Sequence, residues 1–475
     1  MSEQPSQDEQ KLFGFIPLDW RFDLTALPGV RWLFKQRWFP MVPILVNMFI
    51  FMLILAGGVV GGFSSGNYSF AIMIVWIVWW VMLMMLLVPV FSRTWCMVCP
   101  LPSFGEWMQR LRIFGVKNDL SGLNLKWPKR LRNMWLMNIL FLCTTFFSGF
   151  FTVKPLATFA LLGGIIVLGI ILSLVFEKRS FCLYVCPVSG FQGLYSNFSM
   201  SEIRPKNLAI CEKHRDKTCC TGNKKGYGCP WLLEPHSFKR NTYCGMCLEC
   251  FKTCPFDNMA MNLRPPGTDL LVDEKRGFDE AWKAFIMLGI ALMFYTAMMG
   301  PWGWFKDWVR GDTLSGWASF VGIHATFNLL VIPGIYFVFA WLSKQFSGQK
   351  DVSMKAVFVN LSYTLIPMGL AAWIAFSFGF LLPNGSYVIH TLSDPFAWGW
   401  DLIGTANFPW TPVLTGWLVP LQFITLFGGF LIAADYGYKL SVQTYANKAA
   451  ARRGFIPILA FLALLTIFFG WLYGG

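Results

Sequence analysis

The segment from Tyr243 to Pro255 reads YCGMCLECFKTCP and sets Cys244, Cys247, Cys250 and Cys254 in a C-x2-C-x2-C-x3-C-P spacing. Spacings this short let three thiolates curl around one corner of a cubane. The fourth, fixed by the proline after it, points away toward a second centre, an arrangement that holds [4Fe-4S] clusters in two-cluster electron carriers. Zinc is the competing reading. Zinc ribbons, however, use two C-x2-C knuckles set well apart, so three evenly spaced cysteines followed by Cys-Pro favour iron and sulfur.

Upstream stands CEKHRDKTCCTGNKKGYGCP, with Cys211, Cys219, Cys220 and Cys229 and a second Cys-Pro at its end. In two-cluster carriers the last cysteine of each motif ligates the other cluster. Cys229 is therefore expected to complete the site of Cys244, Cys247 and Cys250, and Cys254 to cross over to Cys211, Cys219 and Cys220. The adjacent Cys219 and Cys220 cannot both ligate in the ordinary way without local distortion. The alternative is a single cluster, with the upstream cysteines structural or on zinc. His214 and His236, in the same segment, read as surface histidines rather than ligands.

Two further cysteine pairs stand at the ends of apolar stretches. SRTWCMVCPLPSFGEW carries Cys96 and Cys99, and KRSFCLYVCPVSGFQGLY carries Cys182 and Cys186. Both run basic residue, small polar, aromatic, Cys, two or three residues, Cys-Pro, aliphatic, and each closes a pair of apolar helices, so a whole helical hairpin is repeated. Repeats related by an axis along the membrane normal end at the same depth. The four thiols are thus expected to converge on a further Fe–S cluster or another thiophilic metal. The competing reading is reduced cysteine at an interface, with proline breaking the helix. Cys143, mid-span, reads as packing.

These sites must be carried by a membrane protein. The chain of 475 residues is 55% hydrophobic and only 13% charged, too apolar for an ordinary soluble protein. Runs of about 20 apolar residues predict about nine spans, near 41–62, 70–91, 133–153, 155–176, 282–300, 318–342, 354–382, 412–434 and 454–473. Lys and Arg gather in alternate loops, and the positive-inside rule puts the N-terminus and the cysteine segment in the cytoplasm and Gly475 outside. Topology and anionic lipid account for the net charge of +14, so nucleic-acid binding is not inferred. MSEQPSQDEQ, at the start, does not read as a cleavable signal peptide. Thiols in a reducing compartment argue against disulfides.

Paired Cys-Pro motifs at helix ends, followed by C-x2-C-x2-C-x3-C-P, resemble the membrane polyferredoxin family that includes NapH of periplasmic nitrate reduction and NosR of nitrous-oxide reduction. The copper-site assembly protein CcoG is a looser relative. The likeness covers about residues 38–262. It implies membrane-bound electron transfer, with a quinol or cytoplasmic donor at one end and a respiratory partner at the other. It carries cluster ligation onto Cys244, Cys247, Cys250 and Cys254, and the membrane-edge pairs onto Cys96 with Cys99 and Cys182 with Cys186. This chain departs from the pattern in its first pair, which is C-x2-C rather than C-x3-C. It also departs in the absence of a flavin-binding domain ahead of the first span, and in the helices beyond about residue 282, which have no assigned counterpart.

In that second half, His324 and Asn328 stand four apart on one helical face. An ionisable group inside a bilayer is costly and often functional, so haem ligation or a proton relay at a quinone site is weighed against a structural hydrogen bond, which is favoured. His390, in an outer loop, supplies no second axial ligand. Tryptophan-rich outer segments read as headgroup-level anchors, with partner docking as the alternative. PSFGEWMQRLRIF reads as a short amphipathic helix along the inner surface, with Trp107, Leu111 and Phe114 toward lipid. Glu106 within it is either a solvated carboxylate or an acceptor of quinol protons.

The sequence therefore predicts an all-α polytopic membrane protein with an inserted two-cluster ferredoxin-like domain. Residues 1–37 form a cytoplasmic segment, 38–186 two repeated hairpins, 187–281 the iron–sulfur domain and 282–475 a second membrane region of about five helices. The expected cofactors are two [4Fe-4S] clusters, a third cluster or other metal at the membrane edge, and quinone, with haem disfavoured. Lipid, quinol and respiratory-complex subunits are the expected partners, in the inner membrane of a prokaryote. The expected function is an electron-transfer subunit of an oxidoreductase complex, with a quinol dehydrogenase as the candidate. A copper reductase or assembly factor and a structural anchoring subunit are the alternatives.

Overall fold

The computed structural model describes residues 11–62, 66–272, 276–445 and 447–474. The opening Met1–Gln10 and the terminal Gly475, to which the sequence assigns opposite sides of the membrane, lie outside the described residues.

Among the described residues, eight helices are long and apolar enough to cross a bilayer: Trp38–Gly61, Phe70–Phe91, Pro155–Val175, Phe278–Met298, Leu314–Ser347, Met354–Asn384, Thr415–Thr444 and Lys448–Gly474. They match eight of the nine expected spans. The ninth, expected over 133–153, is formed in two pieces, Trp135–Thr145 and Ser148–Phe151. Its interruption has a local cause. The Thr144 and Thr145 hydroxyls donate to the carbonyls of Phe141 and Leu142, and such back-bonding competes with the helix ladder. Phe147 then leaves helical geometry, at φ −104° and ψ 12°. The second span is also irregular, wound in wide π-type turns over Met73–Trp79 and Leu83–Leu87. Such turns recur at functional sites.

The spans are unequally enclosed. In the most apolar stretch of both Phe278–Met298 and Met354–Asn384, 78% of residues are buried inside the protein, against 17% for Pro155–Val175. The first two are central and the third is peripheral.

The cysteine-rich segment is tied at its base by a three-stranded antiparallel sheet. Ser201–Pro205 pairs with Met259–Leu263 in the register Ser201↔Leu263 to Pro205↔Met259. Phe22–Asp23, from ahead of the first span, pairs with the other edge of Met259–Leu263. Buried ion pairs lock this base to the helices. The Arg264 guanidinium reaches Glu202 at 2.8 Å and also Asp269, and Arg240 bonds Glu280 of the Phe278–Met298 span at 2.8 Å. The Tyr436 hydroxyl donates to the Pro266 carbonyl at 2.6 Å. A buried guanidinium facing two carboxylates is tolerated because its charge is compensated.

Candidate metal centres

The repeated hairpin ends are built alike. Ser92, at φ 60°, precedes Arg93, and Lys178, at φ 51°, precedes Arg179. A short helix follows in each copy, Thr94–Val98 with Cys96 and Ser180–Tyr184 with Cys182. The chain then extends at Cys99 and Cys186, and a new helix begins, Leu101–Arg110 or Pro187–Ser196. Proline suits the start of a helix, where its missing N–H would have had no partner. The turn leaves backbone N–H groups facing sulfur, Leu101 toward Cys99, and Val188 and Ser189 toward Cys186.

As expected from the repeat, the four thiols meet. Cys96, Cys99, Cys182 and Cys186 line one cavity of about 190 Å³ between the first, second and fourth expected spans, with Asn47, Ser189 and Gln192 as its polar rim. Cys96, Cys182 and Cys186 are buried. Burial pushes the Cys186 thiol up to about 11. Burial and then the neighbouring thiols push Cys99 and Cys182 further still. Four thiolates cannot coexist here on their own; a bound polycation reverses that balance. Gln192 is fully buried, and its amide Nε2 has no hydrogen-bond partner.

In the loop, Cys229, Cys244, Cys247 and Cys250 form a second group whose thiols raise one another's pKa through space, after the dominant effect of burial. Cys229 and Cys244 stand at about 11 and Cys247 at about 12. Met246 and Leu248 take positive φ, 52° and 64°, which coils the backbone around the group. N–H groups two residues on again face sulfur: Trp231 to Cys229, Met246 to Cys244 and Glu249 to Cys247.

Cys254 turns away from that group. Asn258 joins it to Cys211, its backbone N–H lying 3.3 Å from the Cys254 sulfur and its side-chain amide 3.3 Å from the Cys211 sulfur. Cys219 lines the same small cavity as Cys211 and Cys254, with His214 and His236 on its wall. Cys220 is turned aside, its thiol 3.9 Å from the Leu233 carbonyl and 3.8 Å from the Cys219 sulfur. His214 packs edge-on against Phe256 and His236 against Glu234 and Lys217.

Among the described residues, no three His, Cys, Asp or Glu side chains are grouped tightly enough to hold a single ion. Bonds of about 2.3 Å to one tetrahedral zinc would bring sulfurs to roughly 3.8 Å of one another. A cubane gives each cysteine its own iron and so tolerates wider spacing.

The membrane-edge and loop groups abut. Cys96, Cys182 and Cys186 share one apolar cluster with Trp231, against which Cys229 and Cys247 pack. The Arg93 guanidinium lies 4.5 Å from the Trp231 ring centroid. Gly245 is required here, because a Cβ on it would stand 1.9 Å from the Trp231 ring. Arg179 bonds Glu106 at 2.7 and 3.0 Å and the Cys96 carbonyl at 3.0 Å. Its charge acts on both Cys182 and Cys247.

Glu106 is accordingly neither solvated nor free. Burial alone would raise its pKa, but the Arg179 guanidinium more than offsets this and holds it below the usual carboxylate range. The helix carrying it ends at Leu111 and packs against Pro155–Val175. Leu111 and Phe114 are exposed, as expected of lipid-facing side chains, whereas Trp107 is only half-exposed. Cys143, expected to be packed, lies on the exposed helix surface. His324 is fully buried, with Nε2 3.0 Å from the Thr145 hydroxyl and the rings of Phe146, Phe294 and Phe320 around it. Asn328 donates to the His324 carbonyl at 2.8 Å. His390 stands apart, edge-on to Tyr68.

A family model described as a 4Fe-4S binding domain matches the chain twice, over residues 72–118 and 159–205. Each match holds one hairpin end, the first with Cys96 and Cys99 and the second with Cys182 and Cys186. No curated protein and no solved structure matches the chain. Two 4Fe-4S binding domains within a bundle of long apolar helices define an iron–sulfur electron-transport protein of the membrane. The matches fall on the membrane-edge pairs, where the residues alone left Fe–S and other metals open.

Proposed function

We propose that the protein relays electrons between clusters in the cysteine-rich segment and a centre at the membrane edge. It would exchange them with a quinol or cytoplasmic donor and with subunits of a respiratory complex. One observation carries this reading: Cys229 and Cys247 of the loop pack on the same apolar cluster, with Trp231 among its members, that holds Cys96, Cys182 and Cys186. The loop clusters would be held by Cys229, Cys244, Cys247 and Cys250, and by Cys211, Cys219 and Cys254 with Cys220 beside them. The membrane-edge centre would be held by Cys96, Cys99, Cys182 and Cys186. When bound, such clusters take up and give back single electrons at potentials set by charge, hydrogen bonds to sulfur and solvent exposure.

The chain's own residues supply those settings. Backbone N–H groups face the sulfurs, the buried Trp231 belongs to the apolar cluster the two groups share, and Arg93 and Arg179 add positive charge. Quinol access is supported by the wall of the membrane-edge cavity, which includes Val78 and Met82, both exposed on the surface of the Phe70–Phe91 span. We place the N-terminal segment and the loop on the cytoplasmic face of a prokaryotic inner membrane, with nine crossings and the interrupted Trp135–Phe151 stretch completing the second hairpin. The Cys-Pro motifs resemble those of NapH and NosR, which supports this reading.

Anaerobic purification with iron and acid-labile sulfide assays tests the reading. About eight irons per chain are expected from the loop, and about four more from the membrane edge, with EPR signals that respond to quinol or to dithionite. Colourless protein containing zinc would overturn it. Copper bound at Cys96, Cys99, Cys182 and Cys186, and lost on serine substitution, would favour the copper-handling reading instead.

A further inference from the structure

A lysine from the second membrane half reaches the helix turn that follows the membrane-edge cysteines. Lys283, in the Phe278–Met298 span, is fully buried. Its ammonium has no hydrogen-bond partner and lies 4.2 Å from the centroid of the Phe141 ring. The carboxylates nearest it in sequence are engaged elsewhere. Glu280 is held by Arg240 and Tyr363, and Asp279 accepts from the Met134 N–H at 2.7 Å. Its stem runs over the first turn of Pro187–Ser196, where a Cβ on Gly190 would meet its Cε at 3.5 Å. Gly190 in turn donates its N–H to the Cys186 carbonyl at 3.2 Å, so the turn that Lys283 covers is the one Cys186 opens.

An ammonium without an anion is among the costliest groups to bury. A [4Fe-4S] core held by four cysteinates is a net anion, and each added electron makes it more so. Gln192, which lines the cavity, and Arg93, whose Nη2 lies 3.9 Å from the Cys96 sulfur, likewise bury a side-chain donor without a partner, the amide Nε2 and the guanidinium Nε.

Resting on the electron-transfer reading above, we propose that Lys283 is the counter-cation of the membrane-edge centre, a positioning residue of the second half that favours the reduced state of that centre. The full-length protein, purified anaerobically in detergent, is compared with Lys283→Met and Lys283→Arg by iron and sulfide content and by EPR-monitored titration with dithionite. The signal to follow is the one lost in Cys182→Ser.

Lys283→Met is expected to lower its midpoint by at least the equivalent of a tenfold change in the reduction equilibrium, about 59 mV for one electron. Lys283→Arg, which keeps the charge, is expected to shift less than half as far. Selective loss of that one signal in Lys283→Met, with loop signals intact and Lys283→Arg normal, would also support the role. An unchanged midpoint in fully loaded Lys283→Met would overturn it. If Lys283→Met loses every cluster, Lys283→Gln decides, with the same downward shift required and an unchanged midpoint overturning the role. Wild-type protein without iron would instead overturn the electron-transfer reading.

Discussion

Exchanging Glu106 for glutamine removes one charge from the junction between the membrane-edge and loop thiols while keeping the shape of the side chain. Glu106 and Arg179 are 17% and 7% exposed and joined by two bonds of 2.7 and 3.0 Å. Breaking a buried pair from one side costs about 3–5 kcal/mol, of which a retained amide hydrogen bond returns roughly 1 kcal/mol. A destabilisation of about 2–4 kcal/mol is therefore expected, read by thermal unfolding in detergent through tryptophan fluorescence.

The pH dependence has a definite sign. The folded-state pKa of Glu106 lies below its ordinary 4.5, so the pair's contribution is complete above that value and is lost as the pH falls through the depressed one. Glu106→Gln should flatten this acid limb. Replacing both partners by leucine should cost less than the single exchange, since no charge is then left buried. A loss below about 0.5 kcal/mol in Glu106→Gln, the size of an ordinary surface change, would refute the reasoning.

Three further outcomes are expected. Gly245→Ala drives a Cβ into the Trp231 ring, which should cost about 1–3 kcal/mol and lower iron retention in the group of Cys244 and Cys247, measured by iron per chain. Cys219→Ser should abolish the EPR signal of the second loop centre, whereas Cys220→Ser, whose thiol is turned toward Leu233, should keep it; equal losses would contradict the assignment. Asn258→Leu removes the amide donated to Cys211 and should lower the midpoint of that same centre with little change elsewhere, checked by redox titration.

The local patterns were readable because they act over short distances. Cys244, Cys247 and Cys250 declare their grouping within seven residues, and the duplicated Arg, aromatic, Cys and Cys-Pro order announced that Cys96 and Cys182 would meet. What stayed hidden depends on contacts between distant segments. Trp231 looked like any aromatic residue until Gly245 was packed on it, and Glu106 looked solvated because its partner Arg179 is 73 positions away. Asn258 sits four residues past Cys254 and was a signal that was there to be found: an amide just beyond a Cys-Pro turn can serve two sulfurs. The interruption near Phe147 was masked by uniform hydropathy, which registers apolar content and not the back-bonding of Thr144 and Thr145. Lys283 was invisible inside an otherwise ordinary span, since nothing local tells a snorkelling lysine from an enclosed one.

The pairing of Phe22–Asp23 with the strand that leaves the cysteine segment imposes a parity rule on the bilayer. Backbone partners in one sheet share an aqueous face, so the polypeptide must traverse the lipid an even number of times between Asp23 and Ser201. Among the described residues three helices long enough to cross lie between them, an odd count, so on the topology proposed above the balance would fall to the broken Trp135–Phe151 stretch. Straightening or deleting that modest stretch would pit the sheet against every helix downstream, making the least regular segment the one on which the handedness of the whole insertion turns.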